Sequence, residues 1–270
     1  MKTDVRVVGI IRKWYEALKF NPKYDEEFEN AVNTVYVDAE AKAEDYNKEE
    51  PNGRKNFLYY LYFCEEMKEA YREKGIPEEI FADSVRDLVT WTDIWSELHG
   101  ELYLGEIDWL WHIFTLRIIK LGRLQYNRAY AKEDAPSFGL KQGDPVLDVH
   151  IPARGPLDFE ECKKSLELAR AFFPKFYPEF DFKCFTCHSW LLDPTLCELL
   201  TEGGNILAFQ RLFSIVSKAP SRAILGYAIK WKIKDDELPM AECKSNFAKR
   251  VKSEYLDGRR FFAGYGIITK

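Results

Sequence analysis

The 270 residues carry 39 Lys and Arg against 44 Asp and Glu, a formal charge of -5, which excludes the basic surplus of a typical nucleic-acid binder. A content of 46% hydrophobic and 31% charged residues excludes a disordered chain. No window approaches the ~18 consecutive apolar residues of a membrane span; the most apolar stretch, Trp109 to Ile119, is broken by His112, Thr115 and Arg117.

The length suits two domains of about 130 residues each. The unusual feature of the composition is its 7 Trp, 15 Tyr and 19 Phe, rings that fill cores and also line ligand pockets. Met1 to Arg6 holds no apolar run of signal-peptide length, so a cytoplasmic location is expected. Reduced thiols at Cys64, Cys162, Cys184, Cys187, Cys197 and Cys243 follow from that expectation.

In chain order, Val5, Val8, Ile11, Tyr15 and Leu18 recur at helical spacing. Asn21-Pro22 breaks the chain, and Tyr24, Phe28, Val32, Val35 and Ala39 resume the period. A charged connector over 41–52 leads to a helix from Lys55 to Gly75, where glycine and Ile76-Pro77 mark its end. The pattern predicts a next helix carrying Ile80, Val85, Leu88, Trp91, Trp95 and Leu98, ended by Gly100. A third is predicted from Glu106 to Lys120, closed by Gly122. Around these helices Trp91, Trp95, Trp109, Trp111 and Tyr103 crowd His99 and His112. Glu97, Glu101, Glu106 and Asp108 rim the intervening loop, either solvated or set to meet a cationic amine.

The period then changes from helical to two. Arg123 to Tyr130 and Val146 to Ile151 read as strands about a turn at Lys141–Pro145. A helix over Leu157 to Phe173, a strand within Asp181 to Trp190 and a short helix opened by Asp193-Pro194 follow. Asn205 to Ile215 reads as a strand, 219–236 is ambiguous, Pro239 to Leu256 is helical and Phe261 to Ile268 is a last strand. The domains expected are a helical 1–122 and an α/β 123–270.

The segment Leu147-Asp148-Val149-His150-Ile151-Pro152-Ala153-Arg154-Gly155-Pro156-Leu157 reads strand, Arg-Gly turn, helix. Such a turn gathers backbone N–H groups and the positive end of a helix, a setting that suits a pyrophosphate, and it also serves as an ordinary strand-to-helix connection. His150 ends the strand, either as a base or as a histidine hydrogen-bonded within the sheet. In Cys184-Phe185-Thr186-Cys187-His188, strand alternation separates the two thiols onto opposite faces. That argues for buried core cysteines over a haem, redox or zinc site, and no metal site is expected.

The stretches Leu121-Gly122-Arg123-Leu124-Gln125, Val149-His150-Ile151-Pro152, Ser189-Trp190-Leu191-Leu192-Asp193-Pro194 and Gly264-Tyr265-Gly266 resemble a bacterial family with an N-acyltransferase N-terminal domain followed by a GNAT-like C-terminal domain. The resemblance implies an α+β protein, a helical domain packed on a GNAT-like mixed β-sheet with flanking helices. It implies acyl transfer from acetyl-CoA or another acyl-CoA to an amine of a small molecule or peptide, with no nucleic acid or membrane as partner. His150 is then the base, and Ser189 the acid or the partner of the acyl carbonyl. Ile151, Arg154, Gly155 and Leu157 would hold coenzyme A. The usual GNAT loop reads Arg or Gln, two residues, Gly, one residue, Gly or Ala; here Gly155 directly follows Arg154, and Pro156 removes an N–H. Two alternatives stand beside this one: a non-catalytic ligand-binding or scaffold protein with a degenerate GNAT-like fold, and a hydrolase using Ser189 or Cys187.

Overall fold

The computed structural model describes residues 2–270. The chain divides into two compact units, one ending at Leu121 and the other running from Gly122 to Lys270.

The first unit is helical: α1 (Val5–Leu18), α2 (Asp25–Thr34), α3 (Gly53–Glu73), α4 (Glu78–Val85), α5 (Asp87–His99) and α6 (Ile107–Phe114), followed by β1 (Ile118–Leu121). Side-chain caps start α1 and α3: Asp4 accepts from the Arg6 N–H and Asn52 from the Lys55 N–H. The apolar stripe of α1 is buried in rings, Tyr15 stacking on Phe28 at 3.8 Å between centroids with Phe57 edge-on to both.

Three predicted boundaries differ. The α2 pattern stops at Thr34 instead of reaching Ala39, and the helix expected to run from Ile80 to Leu98 is two, α4 and α5, parted at Arg86. The helix predicted to reach Lys120 stops at Phe114. There the Arg117 N–H closes back on the His112 carbonyl at 2.9 Å while Leu116 takes a left-handed φ of 57°. β-Branched Ile118 and Ile119 then extend, so Gly122 turns a hairpin instead of ending a helix.

The second unit contains β2 (Leu124–Tyr130), β3 (Pro145–His150), α7 (Phe159–Phe176), β4 (Cys184–Ser189), α8 (Asn205–Gln210), β5 (Ser214–Pro220), α9 (Ala223–Ala228), α10 (Asn246–Leu256) and β6 (Phe262–Thr269). The strand predicted over 205–215 is α8 followed by a later strand, β5. The run Ile206-Leu207-Ala208-Phe209 is too short for apolar content to distinguish helix from strand. The ambiguous stretch contains α9, and the last helix begins at Asn246 under a Ser245 cap, not at Pro239.

The six strands form one mixed sheet in the order β1-β2-β3-β4-β6-β5. β3 and β4 are parallel, joined through α7, while β2/β3, β4/β6 and β5/β6 are antiparallel. The fold is therefore the α+β, GNAT-like arrangement that the resemblance implies. α7 covers one face of the sheet: the hydroxyls of Ser165 and Tyr126 lie 2.9 Å apart, and the Tyr126 ring packs against Phe173 and Phe185.

The same face carries a short 3-10 turn, Trp190–Leu192, laid across β6. It fits because Gly264 and Gly266 present no side chain there. A Cβ on Gly264 would strike the Leu192 carbonyl, and one on Gly266 would strike the side chains of Leu192 and Phe213.

Candidate active site

The sheet opens in one place. β3 and β4 are in register at Leu147/Phe185 and Asp148/Thr186. Beyond that point Val149 and His150 pair only with Tyr126 and Gln125 of β2. On the other side Cys187, His188 and Ser189 pair with Gly266, Tyr265 and Gly264 of β6. Two parallel strands that part while each keeps its outer neighbour leave a notch at their carboxyl ends, where open α/β sheets take ligands.

Strand alternation decides what faces that notch. The face opposite α7 carries Gln125 and Asn127 from β2, Asp148 and His150 from β3, Thr186 and His188 from β4, and Tyr265 from β6. Within this row Nε2 of His150 lies 3.3 Å from Oδ2 of Asp148. The Thr186 hydroxyl donates to Oδ1 of the same carboxylate at 2.9 Å. Burial alone would push the Asp148 carboxyl up; the hydrogen bond and charge of His150, with the Thr186 hydroxyl, more than offset it and hold the group below its ordinary value. A carboxylate so held fixes its imidazole in one orientation. Burial also raises the Tyr265 phenol to about 12, even with the Thr186 hydroxyl pulling the other way. Gln125 is 1% exposed, and its Nε2 has no hydrogen-bond partner among the described residues.

After His150 the chain runs through the loop 151–158 to α7, with Arg154 and Gly155 exposed and Gly155 at a φ of 93°. Only glycine takes that conformation without strain. Arg123, beside the hairpin turn, reaches across to this loop: its Nε donates to the Pro156 carbonyl at 2.7 Å, and Nη2 donates to Gly155 at 3.2 Å and Pro152 at 3.5 Å. Asp158 caps α7 by accepting from the Glu161 N–H.

The residues expected from the sequence are thus brought into one neighbourhood, with one difference of face. His150 looks into the polar row. Ile151, Arg154, Gly155 and Leu157 form the connection that follows it. Ser189 ends β4 across the notch, but its side chain belongs to the α7 face, where its hydroxyl accepts from the Leu191 N–H at 3.2 Å and so caps the 3-10 turn.

Cys184 lies on the Thr186 face and Cys187 on the opposite one, and burial pushes the Cys187 thiol well above its ordinary range. Three members of the acidic rim in the helical unit already have partners: Glu101 pairs with Arg54 at 2.5 Å, Asp108 with Lys48 at 3.5 Å, and Glu106 accepts from Trp95. Sequence reasoning missed Asp148, Thr186, Tyr265 and Arg123. The i, i+2 spacing of Asp148 and His150 in one strand was a usable signal for the first; the others depend on pairing across strands.

The N-terminal region, residues 5–116, matches the N-acyltransferase N-terminal domain, and residues 118–268 match the GNAT-like C-terminal domain. No curated protein shows significant similarity to the chain. Solved structures of several acyltransferases share the fold. An acyltransferase in complex with decanoyl-CoA is 30% identical with a TM-score of 0.70, the match covering 79% of this chain and 65% of that one. An acyltransferase in complex with decanoyl-CoA and teicoplanin is 25% identical with a TM-score of 0.69, covering 78% and 65%. A mutant acyltransferase in complex with octanoyl-CoA is 22% identical with a TM-score of 0.72, covering 98% and 86%. The chain thus spans less than two thirds of the length of the first two. With the whole of its sheet and the helical region before it accounted for by these two domain types, the chain belongs to the family of proteins with an N-acyltransferase N-terminal domain and a GNAT-like C-terminal domain.

Proposed function

We propose that this protein transfers an acyl group from an acyl-coenzyme A thioester to an amine. The observation that carries the reading is the parting of β3 and β4 beyond Asp148 and Thr186, with His150 and its carboxylate on one lip and Tyr265 beside the other. A notch of this kind accepts an extended pantetheine arm between the strands, and the loop 151–158 lies where the diphosphate would follow.

The chemistry asked of the side chains is small. The amine nitrogen bonds to the thioester carbonyl carbon and the C–S bond breaks. The amine gives up one proton and the departing sulfur takes one. Nε2 of His150, 3.3 Å from the Asp148 carboxylate, is the nitrogen placed to carry the proton, which leaves the lone pair on Nδ1 to take the amine proton directly or through one water. Tyr265, protonated throughout the neutral range, is the better-placed donor to the sulfur; the Ser189 hydroxyl is engaged as a cap on the other face. Most of the rate would come from holding amine and thioester together.

Two similarities support a medium-length acyl chain and a peptide-like amine. The 30% identical acyltransferase carries decanoyl-CoA, and the 25% identical one carries decanoyl-CoA with teicoplanin.

The test is calorimetric titration of the purified protein with acetyl-, octanoyl- and decanoyl-CoA. Micromolar binding that strengthens with chain length supports the reading. Folded protein that binds none of the three overturns it in favour of a non-catalytic scaffold.

A further inference from the structure

The loop 151–158 is poorly supplied with the features that usually hold a diphosphate. Pro156 offers no N–H. The first turn of α7 carries Glu160 and Glu161, paired with Lys163 and Lys164, behind the capping Asp158, so the side chains of the helix end offer an anion little net positive charge. Exposed Arg154 is the cation within the loop, and a second comes from outside it.

Arg123 supplies it from behind the loop. Among the described residues its hydrogen-bond acceptors are three backbone carbonyls, those of Pro152, Gly155 and Pro156. It makes these bonds half-buried and, among the described residues, without a carboxylate partner. In a planar trans peptide the carbonyl and the following N–H point in opposite directions. Drawing the Pro152 carbonyl inward therefore turns the Ala153 N–H outward, and drawing in the Pro156 carbonyl does the same for Leu157. The Gly155 carbonyl is followed by proline and contributes no N–H, but its dipole is aligned with the others. The guanidinium thus orients the loop so that its positive ends face away from Arg123, and adds a full positive charge behind them.

We propose that Arg123 is a positioning residue for the diphosphate of coenzyme A: it holds the loop 151–158 with the Ala153 and Leu157 N–H groups presented to the anion, offsetting the N–H lost at Pro156. The inference rests on the acyl-CoA reading above and goes beyond it by assigning the anion's recognition to a residue outside the loop.

The experiment measures binding, by calorimetry, of decanoyl-CoA and of S-decanoylpantetheine, which lacks the diphosphate, to the wild type, Arg123→Ala and Arg123→Lys. The expected result is at least a tenfold loss of decanoyl-CoA affinity in Arg123→Ala, with S-decanoylpantetheine affinity changed less than twofold. Arg123→Lys, which keeps the charge but reaches fewer carbonyls, should lie between. Equal losses for both ligands would overturn the proposal, since a residue that merely stabilises the fold makes no distinction between them. Unchanged decanoyl-CoA binding in Arg123→Ala would also overturn it. If Arg123→Ala fails to fold, the same comparison in Arg123→Lys decides. A wild type that binds no acyl-CoA refutes the acyl-CoA reading itself and is read from the first titration.

Discussion

Asp148 and Thr186 form the last register pair of the parallel strands β3 and β4, and across that pair the Thr186 hydroxyl donates to the Asp148 carboxylate at 2.9 Å. The bond ties the strands at the root of the notch and leaves the other carboxylate oxygen for His150. One side chain therefore serves both the closure of the sheet below the notch and the orientation of His150, the proposed base.

Replacing His150 with Gln should lower turnover of an acyl-CoA and amine pair by about 10²- to 10⁴-fold, the usual worth of a general base. Asp148→Asn should lower it by a smaller factor, because the imidazole remains but loses its fixed tautomer. Steady-state kinetics should show the loss in kcat, with decanoyl-CoA affinity within about twofold of wild type.

The same carboxylate predicts the acid limb of stability. Its folded pKa lies below its unfolded value of about 3.9, so the unfolded state binds its proton first as pH falls. The contribution is complete well above pH ~4 and is lost as pH drops through the folded value. Denaturant titrations between about pH 6 and 3 should show a shallower decline in Asp148→Asn than in wild type. Parallel declines would remove Asp148 as a source.

Tyr265→Phe leaves the ring and removes only the proton donor. Turnover should fall about tenfold or more, and the loss should shrink with an acyl donor whose thiol is more acidic and needs no protonation to depart. A uniform loss across donors would mean that the hydroxyl acts in packing instead.

Gly264→Ala should be among the more destabilising single-methyl changes in the sheet, since the added carbon meets the Leu192 backbone carbonyl, which cannot move aside cheaply. A cost of about 1–3 kcal/mol is expected for such overpacking. Thermal denaturation followed by circular dichroism should show the midpoint falling by several degrees, and alanine at the open position Gly139 makes a poor control because its φ is 64°. Gly9, with φ in the ordinary range and no atoms near its missing Cβ, is the suitable one.

Native alkylation with iodoacetamide should modify exposed Cys197 first and spare Cys64 and Cys187, whose thiols are buried and pushed far above their ordinary range. Peptide mapping by mass spectrometry reads the order. Rapid labelling at Cys187 would restore the nucleophile reading that its burial argues against.

The helix and strand types in the second unit were legible wherever a period persisted, as in α7 and β6. The place of His150 at the end of a strand before a turn was legible from the alternation that stops there. The helix predicted to Lys120 failed at Leu116, where a left-handed residue that is neither glycine nor asparagine closes α6 without a compositional sign. α8 failed because six residues are fewer than two helical turns. The partners of His150 were partly out of reach for a different reason. Asp148 sits two positions away and alternates onto the same face. Thr186 lies 38 residues beyond Asp148 and Tyr265 lies 115 beyond His150, and only the register of the sheet brings them alongside. Ser189 ends β4 as the sequence reads, but on the face that alternation turns away from the polar row.

Because the polar row is written into alternate residues of four adjacent strands, the pleat acts as a frame in which the site and the core are read in alternate letters. Inserting a single residue early in β3 would swing Val149 into the notch and His150 into the layer beneath α7. In β6 the same slip would bring a glycine to the notch and aim the Tyr265 ring at the bare floor where Leu192 rests. Packing and chemistry here fail together, so a functional screen of insertions across these strands would double as a screen for folding.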